Sequence, residues 1–375
     1  PEKVRALDAS LATTDKIEDI VNDPDIDIVV ELMGREHPAL EYMEAALKAG
    51  KNVVTANKEL IAAQGAQLLA LARQHQVNLL FEASVGGGIP IIRPLHQCLG
   101  ANELDDIQGI LNGTTNFILT KMSREGMCFS QALQMAQQLG YAEADPTADV
   151  QGLDACRKIC ILASLAFGRQ LYPQLVHCQG ITELTPEDVE YARNWGGVIK
   201  LIARAHRDPD TQQLSALVAP MFVPHDRQLS TVDDVFNGIL VDGDATGQVL
   251  FYGKGAGKLP TASAVISDVI DCTKASGTID TLFWQAGSVE ACSRQLLDWQ
   301  QIPARFYLRL SLSDPQQLAY ISLLLDEYKL LSRPDQPKTE IALVTSTMTR
   351  RCLQEILAQL QAEGIVPLNT LFVLQ

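Results

Sequence analysis

The sequence predicts an α/β fold: a Rossmann-like doubly wound parallel sheet first, an α+β domain next, and a ferredoxin-like unit last. Three observations predict it. Between residues 25 and 83, short β-branched runs alternate with Ala/Leu-rich stretches of helical length. This is the βαβαβ order that demands right-handed crossovers and parallel strands. The first run, DIDIVVELM at 25–33, is apolar without alternation, as suits a strand buried on both faces. From residue 304 onward, strand and helix patterns succeed one another in a ferredoxin-like order. No G-x-G-x-x-G stands at the head of the first strand, so the leading sheet is read as N-terminally incomplete by about one βαβ unit. A length of 375 residues exceeds one small core, and the pattern divides at 1–100, 101–300 and 301–375.

The elements follow in order. Asp15 and Glu18 have capping-box spacing and open a short helix through Val21. The strand at 25–33 leads to a helix at 38–47 with Pro38 in its first turn, closed by Gly50. A strand at 52–55, a helix at 58–74 and a strand at 77–83 complete the alternation. Ligands of such sheets bind beyond the carboxyl ends of the strands, which places 31–35, 55–58 and 82–88 along one rim. After about residue 100 come a strand at 106–111, the polar run 112–116, several helices, and strands near 214–222 and 231–240 with a hairpin at 241–244. The last unit reads as a strand at 304–311, a helix at 315–328, a strand at 339–345, a helix at 347–363 and a strand at 371–374. The segment 330–337 is too short for a full additional strand.

Composition narrows the function. The formal net charge is -15, which argues against nucleic acid or an anionic membrane surface and in favour of a small-molecule substrate. The longest apolar run is shorter than the roughly 18 residues that span a bilayer, and Pro1-Glu2-Lys3 carries no apolar signal core, so a cytoplasmic location is expected. Eight cysteines without CxxC pairs indicate neither a disulfide framework nor structural zinc. The six histidines lack ligand spacing. Residues 253–258 (GKGAGK) fail the phosphate-loop spacing and are followed by Leu259, which excludes an NTPase.

The chemistry points to residues 140–167. Glu143, Asp145, Asp149, Asp154 and Lys158 precede or open the apolar run ICILASLAF at 159–167, so a helix buried on all sides begins with charges that should open onto a cleft. Asp154 and Lys158 lie four apart on one helical face, carboxylate first, as the macrodipole favours. A lysine so oriented can donate a proton to an oxygen gaining negative charge. Lys58 stands at a strand's carboxyl end and a helix start, where a cation opposes the helix dipole and wants a reason; a solvated helix-start lysine is the alternative.

Taken together, VVTANK (53–58), EASVGGGIPI (82–91), GILNGTTNFI (109–118), GYAEADP with DVQGLDACRK, and GKGAGKLPTASAV (253–265) resemble the homoserine dehydrogenase family with a C-terminal ACT domain. The resemblance implies NADP- or NAD-dependent reduction of L-aspartate 4-semialdehyde to L-homoserine, reversibly. It makes 1–100 the nucleotide-binding domain, 101–300 the substrate-binding and dimerisation domain, and 301–375 an ACT-like regulatory domain. It assigns Lys158 as proton donor and Asp154 as its partner. Glu143, Asp149, Asp154 and Lys58 become substrate contacts, and Thr55, Lys58, Gly140 and Gly255 cofactor contacts. Glu82, Val85, Gly87 and Ile89 would bind a monovalent cation, sodium, mostly through carbonyl oxygens; a tight turn around Gly86-Gly87-Gly88 is the alternative use of those glycines. Arg35 replaces a usual glycine, and Ser313-Asp314-Pro315 lacks the glycine usual after such a proline. An L-threonine effector and a homodimer or homotetramer are further implications. The competing readings are a related amino-acid oxidoreductase and a catalytically silent amino-acid sensor.

Overall fold

The computed structural model describes residues 8, 10–275, 277–278 and 282–374; the N-terminal Pro1-Glu2-Lys3 lies outside them. Helix α1 (Ile17–Val21) has Lys16 at its N-cap and no side-chain cap. The box expected from Asp15 and Glu18 does not form, because the helix starts one residue late for Asp15 to cap it; Thr14 instead donates to Asp19 at 2.5 Å. Strands β1 (Ile28–Glu31), β2 (Asn52–Thr55) and β3 (Leu79–Leu80) form a parallel sheet in that order, with Glu31 opposite Thr55. Helices α2 (Ala39–Lys48) and α3 (Lys58–Gln74) are the crossovers.

Two details depart from the expected strands. Val30 of β1 is 41% exposed, because that face opens on a cleft instead of being covered. The expected strand at 77–83 pairs only at Leu79–Leu80; Ser84 bonds back to the Phe81 carbonyl through both its amide (2.9 Å) and its hydroxyl (2.7 Å). Local turn bonding thus replaces the ladder and makes Glu82–Ser84 a 3-10 turn.

The second sheet begins with β4 (Leu104–Ile110). Four helices follow: α4 (Gly113–Glu125), α5 (Phe129–Gln138), α6 (Thr147–Val150) and α7 (Leu153–Phe167). Then come β5 (His177–Cys178), α8 (Pro186–Trp195), the long hairpin β6 (Gly197–Arg207) and β7 (Leu214–Pro224), and the hairpin β8 (Phe236–Gly243) and β9 (Gly247–Lys254). The strand expected at 231–240 starts late, since Asn116 Nδ2 donates to the carbonyls of Val232, Asp234 and Phe236 and pins that stretch as a loop. Helix α9 (Lys258–Lys274) returns to pack on β1 and β2, and α10 (Val289–Gln295) precedes the last unit.

That unit comprises β10 (Pro303–Ser311), α11 (Gln317–Leu324), β11 (Tyr328–Leu331), β12 (Glu340–Thr345), β13 (Met348–Thr349), α12 (Arg350–Ala362) and β14 (Val366–Val373). Its antiparallel order β11-β12-β10-β14 is the split βαββαβ plan of a ferredoxin-like fold. It is not a detached sheet: β14 runs parallel to β7, Phe372 opposite Met221 and Val373 opposite Phe222, so eleven strands join in one sheet. Phe222 stacks on Tyr307 across this seam, ring centroids 4.2 Å apart.

Candidate active site

The sequence LDACRKICILASLAF forms α7 between Gly152 and Gly168, both in the left-handed conformation (φ 79° and 71°) that suits glycine at helix ends. Eleven of its fifteen residues are buried, and it packs on α3, β4 and β6. Its first charges are expected to open onto a cleft; Asp154 is 4% and Lys158 8% exposed, so both are themselves buried. Buried charge persists only when compensated. Lys158 Nζ donates to Asp154 Oδ2 at 2.6 Å and to the Leu111 carbonyl at 2.8 Å, where β4 ends. Lys58 reaches Asp154 Oδ1 at 2.8 Å from the first turn of α3, whose N-cap Asn57 accepts from the Leu60 amide. The Lys58 side chain is 39% exposed, so the cluster meets solvent there.

Asn112, the N-cap of α4, joins the acidic groups: its Nδ2 donates to Asp149 Oδ1 at 2.7 Å and to Asp154 Oδ2 at 2.9 Å. Burial opposes ionisation of Asp154, but Lys158 and Lys58 outweigh it and hold the carboxyl below the ordinary carboxylate range. Burial pulls Lys58 down, Asp154 pulls it up, and the net shift is upward, which keeps the ammonium charged. Burial raises the Asp149 carboxyl above its ordinary value, against the opposing bond from Asn112. One carboxylate therefore holds two ammonium groups, and a half-buried carboxyl of higher affinity for protons stands beside it.

The ends of β1 and β2 are clamped together. Thr55 donates to Glu31 Oε2 at 2.6 Å, and Glu31 Oε1 accepts from the amides of Met33 (2.7 Å) and Gly34 (3.3 Å). Asn57 Nδ2 donates to the carbonyl of Arg35, a residue at φ 62°. Beyond these ends lies a largely apolar cleft of about 690 Å³, lined by Val30, Met33, Gly34, Ala56, Gly257 and Thr261. An open apolar cleft at the carboxyl ends of parallel strands, beside a buried lysine cluster, fits a nicotinamide ring.

The glycine-rich turn is close-packed. Gly86 and Gly87 have φ of 74° and 53°, and a Cβ on Gly87 would come within 2.5 Å of the Gly255 carbonyl. A Cβ on Gly255 would meet the Asn237 carboxamide at 2.1 Å. The Glu82 carboxylate accepts from the amides of Ile91 (2.7 Å), Ile92 (2.9 Å) and Arg93 (3.0 Å), so it is occupied by the chain's own main chain. Among the described residues, no group of three or more His, Cys, Asp or Glu side chains is arranged to hold a metal.

Comparison with known proteins fits this geometry to a family. The family model "Homoserine dehydrogenase" matches residues 90–270, and "Homoserine dehydrogenase, NAD binding domain" matches residues 2–82. A homoserine dehydrogenase of Neisseria gonorrhoeae is 37% identical over 374 residues, 96% of this chain and 85% of that protein. The chain belongs to the homoserine dehydrogenase family. The homoserine dehydrogenase of Synechocystis is 53% identical over 267 residues, covering 71% of this chain but 61% of that relative's length, less than two thirds. The crystal structure of a homoserine dehydrogenase from Thiobacillus denitrificans superposes with a TM-score of 0.89 at 36% identity, over 100% of this chain and 88% of that one.

Within this homoserine dehydrogenase fold, four predicted residues form one bonded cluster: Lys158, Asp154, Asp149 and Lys58. Glu143 lies on the exposed loop between α5 and α6, and among the described residues its carboxylate makes no ion pair. Thr55 is fully buried with its hydroxyl committed to Glu31. Gly140 is exposed at φ 75°, just past the end of α5, with open space around it. Gly87 and Gly255 meet each other, while Val85 and Ile89 are buried behind them. Sequence reasoning missed Asn112 and gave Glu31 no role beyond the rim. A carboxylate closing an apolar strand was the signal for Glu31; for Asn112 it was the polar run following β4.

Proposed function

We propose that this chain interconverts L-aspartate 4-semialdehyde and L-homoserine with a nicotinamide cofactor, NADP or NAD, and that Lys158 is the proton donor. The observation that carries the reading is the hydrogen bonding of Lys158 Nζ. Of its three N–H bonds, one meets Asp154 and one the Leu111 carbonyl, leaving one for the substrate's carbonyl oxygen. The bound dihydronicotinamide supplies the hydride. As charge grows on the oxygen, Lys158 stabilises the alkoxide and passes it a proton, while Asp154 keeps the lysine aimed and compensates the charge it leaves behind. Burial of the pair excludes water and strengthens both interactions. Lys58 stays charged at the open side of the cluster, a place for the substrate or cofactor to meet a cation. Glu143 and Asp149 are assigned to the substrate ammonium, Gly140 and Gly255 to close approach of cofactor, and Thr55 to holding the β1 and β2 ends that border it.

The finer assignments belong to the same proposal. Segments 1–100, 101–300 and 301–375 serve as nucleotide-binding, catalytic and ACT-like regulatory domains, with L-threonine as effector. The carbonyls of Glu82, Val85, Gly87 and Ile89 hold sodium. The protein works as a cytoplasmic homodimer or homotetramer; no described helix is long and apolar enough to cross a membrane. The test is oxidation of NADPH or NADH on addition of L-aspartate 4-semialdehyde, with other amino-acid aldehydes as controls. Turnover confined to aspartate semialdehyde is the expected result. No turnover with any aldehyde would favour a silent amino-acid sensor instead.

A further inference from the structure

We infer that Asn112 is a positioning residue for the proposed proton transfer: by donating to Asp149 and Asp154 together, its carboxamide fixes the spacing of these carboxylates and decides which oxygen of Asp154 each lysine meets. The inference rests on the reading of Lys158 given above.

Asn112 is 5% exposed and stands where β4 gives way to α4. Its Oδ1 accepts from the Thr115 amide at 2.8 Å, the bond that caps α4. That bond fixes the orientation of the carboxamide, since only the opposite end can then donate. Both N–H bonds of Nδ2 are used, on Asp149 Oδ1 at 2.7 Å and Asp154 Oδ2 at 2.9 Å. Each oxygen of Asp154 consequently has a defined load: Oδ1 takes Lys58, and Oδ2 takes Lys158 and Asn112. A neutral group with two donors is what such a place requires. A second carboxylate there would repel both acids, and a cation would compete with Lys158 for Asp154.

Asp149 faces Asp154 and Lys158 of α7 and Lys58 of α3. Asp154 faces Lys158 and Lys58, and Arg157, which acts on Lys58, is paired with Glu59 at 3.4 Å. Without the Asn112 donors, Asp154 is free to rotate between two lysines, and Asp149 loses the bond that opposes its burial. Its carboxyl should then bind a proton at higher pH.

The experiment compares the parent with Asn112→Ser and Asn112→Thr. Both replacements are good N-caps, so the helix keeps its start while the paired donors are lost. Expected are near-parental thermal midpoints and dinucleotide affinity, a fall in kcat on the order of 10²-fold from misalignment, and an acid limb of the kcat/KM profile moved to higher pH. In parallel, 13C-carboxyl NMR follows Asp149, identified by the signal missing in Asp149→Asn, and its midpoint should rise in Asn112→Ser. Unchanged kcat and acid limb in an active protein overturn the inference. So does a loss of kcat matched by an equal loss of folded protein, which would make Asn112 a cap alone. If the parent reduces no aldehyde, the functional reading fails, and the titration decides Asn112 by itself: an unmoved Asp149 midpoint overturns its role.

Discussion

At Asp154, burial and charge pull in opposite directions, and the two lysines prevail. The consequence is a dependence of stability on pH with a definite sign. Because the folded-state carboxyl lies below its ordinary value of 3.8, the unfolded chain takes up the proton first as pH falls. The contribution of Asp154 is thus complete above that ordinary value and is lost as pH falls through the folded one. Urea unfolding of the parent should weaken across that acid range more steeply than unfolding of Asp154→Asn, and parallel slopes would contradict the assignment. The same residue explains why single lysine substitutions should fold. In Lys158→Ala, Asp154 retains Lys58 and Asn112; in Lys58→Ala, it retains Lys158 and Asn112. The double variant leaves the buried carboxylate without a cation, which costs about 3–5 kcal/mol. Chemical denaturation should therefore show the double variant much less stable than the sum of the single effects.

Elements place these residues, and their legibility in the sequence varied for physical reasons. Helix α3 and strand β2 were readable to the residue, since Asn57 caps the helix locally and the apolar periods are uninterrupted. The pairing of Asp154 with Lys158 was equally local, one helical turn apart. Asn112 was not readable, because its acceptors lie 37 and 42 positions away and only the folded α6 and α7 bring them to it. Nor was the loop before β8, which Asn116 pins across more than a hundred residues. The burial of Asp154 and Lys158 was also misjudged, since composition shows the charges of α7 but not the lysine that α3 delivers. Glycines give a further test at this scale. Gly140→Ala meets open space and bears only the left-handed strain, roughly 1–2 kcal/mol. Gly255→Ala must displace Asn237, so a larger loss of thermal stability is expected there than at Gly140. Equal losses would contradict the close packing of Gly255 against Asn237.

For the whole molecule, the decisive feature is the seam at which β14 joins β7. The C-terminal strands were foreseen as a separate unit, yet Phe306 and Phe372 share a core with Ile202, Ala219 and Met221 of the central hairpin. Removing residues 302–375 would bare that apolar face and an unpaired strand edge. The shortened chain should aggregate or bind hydrophobic dyes, and a monodisperse product with the parental midpoint would contradict the shared core. Effector binding is for that reason better tested by titrating L-threonine into the intact protein than by deletion. The architecture brings two lysines from different sheets' helices, α3 and α7, onto one carboxylate beside an apolar cleft. The most direct test of that arrangement is kcat for aspartate semialdehyde reduction in Lys158→Ala against the parent, with folding and dinucleotide affinity measured on both. Loss of a positioned acid predicts a fall of about 10²–10⁴-fold in kcat with affinity and fold preserved; turnover at the parental rate would contradict the role of Lys158.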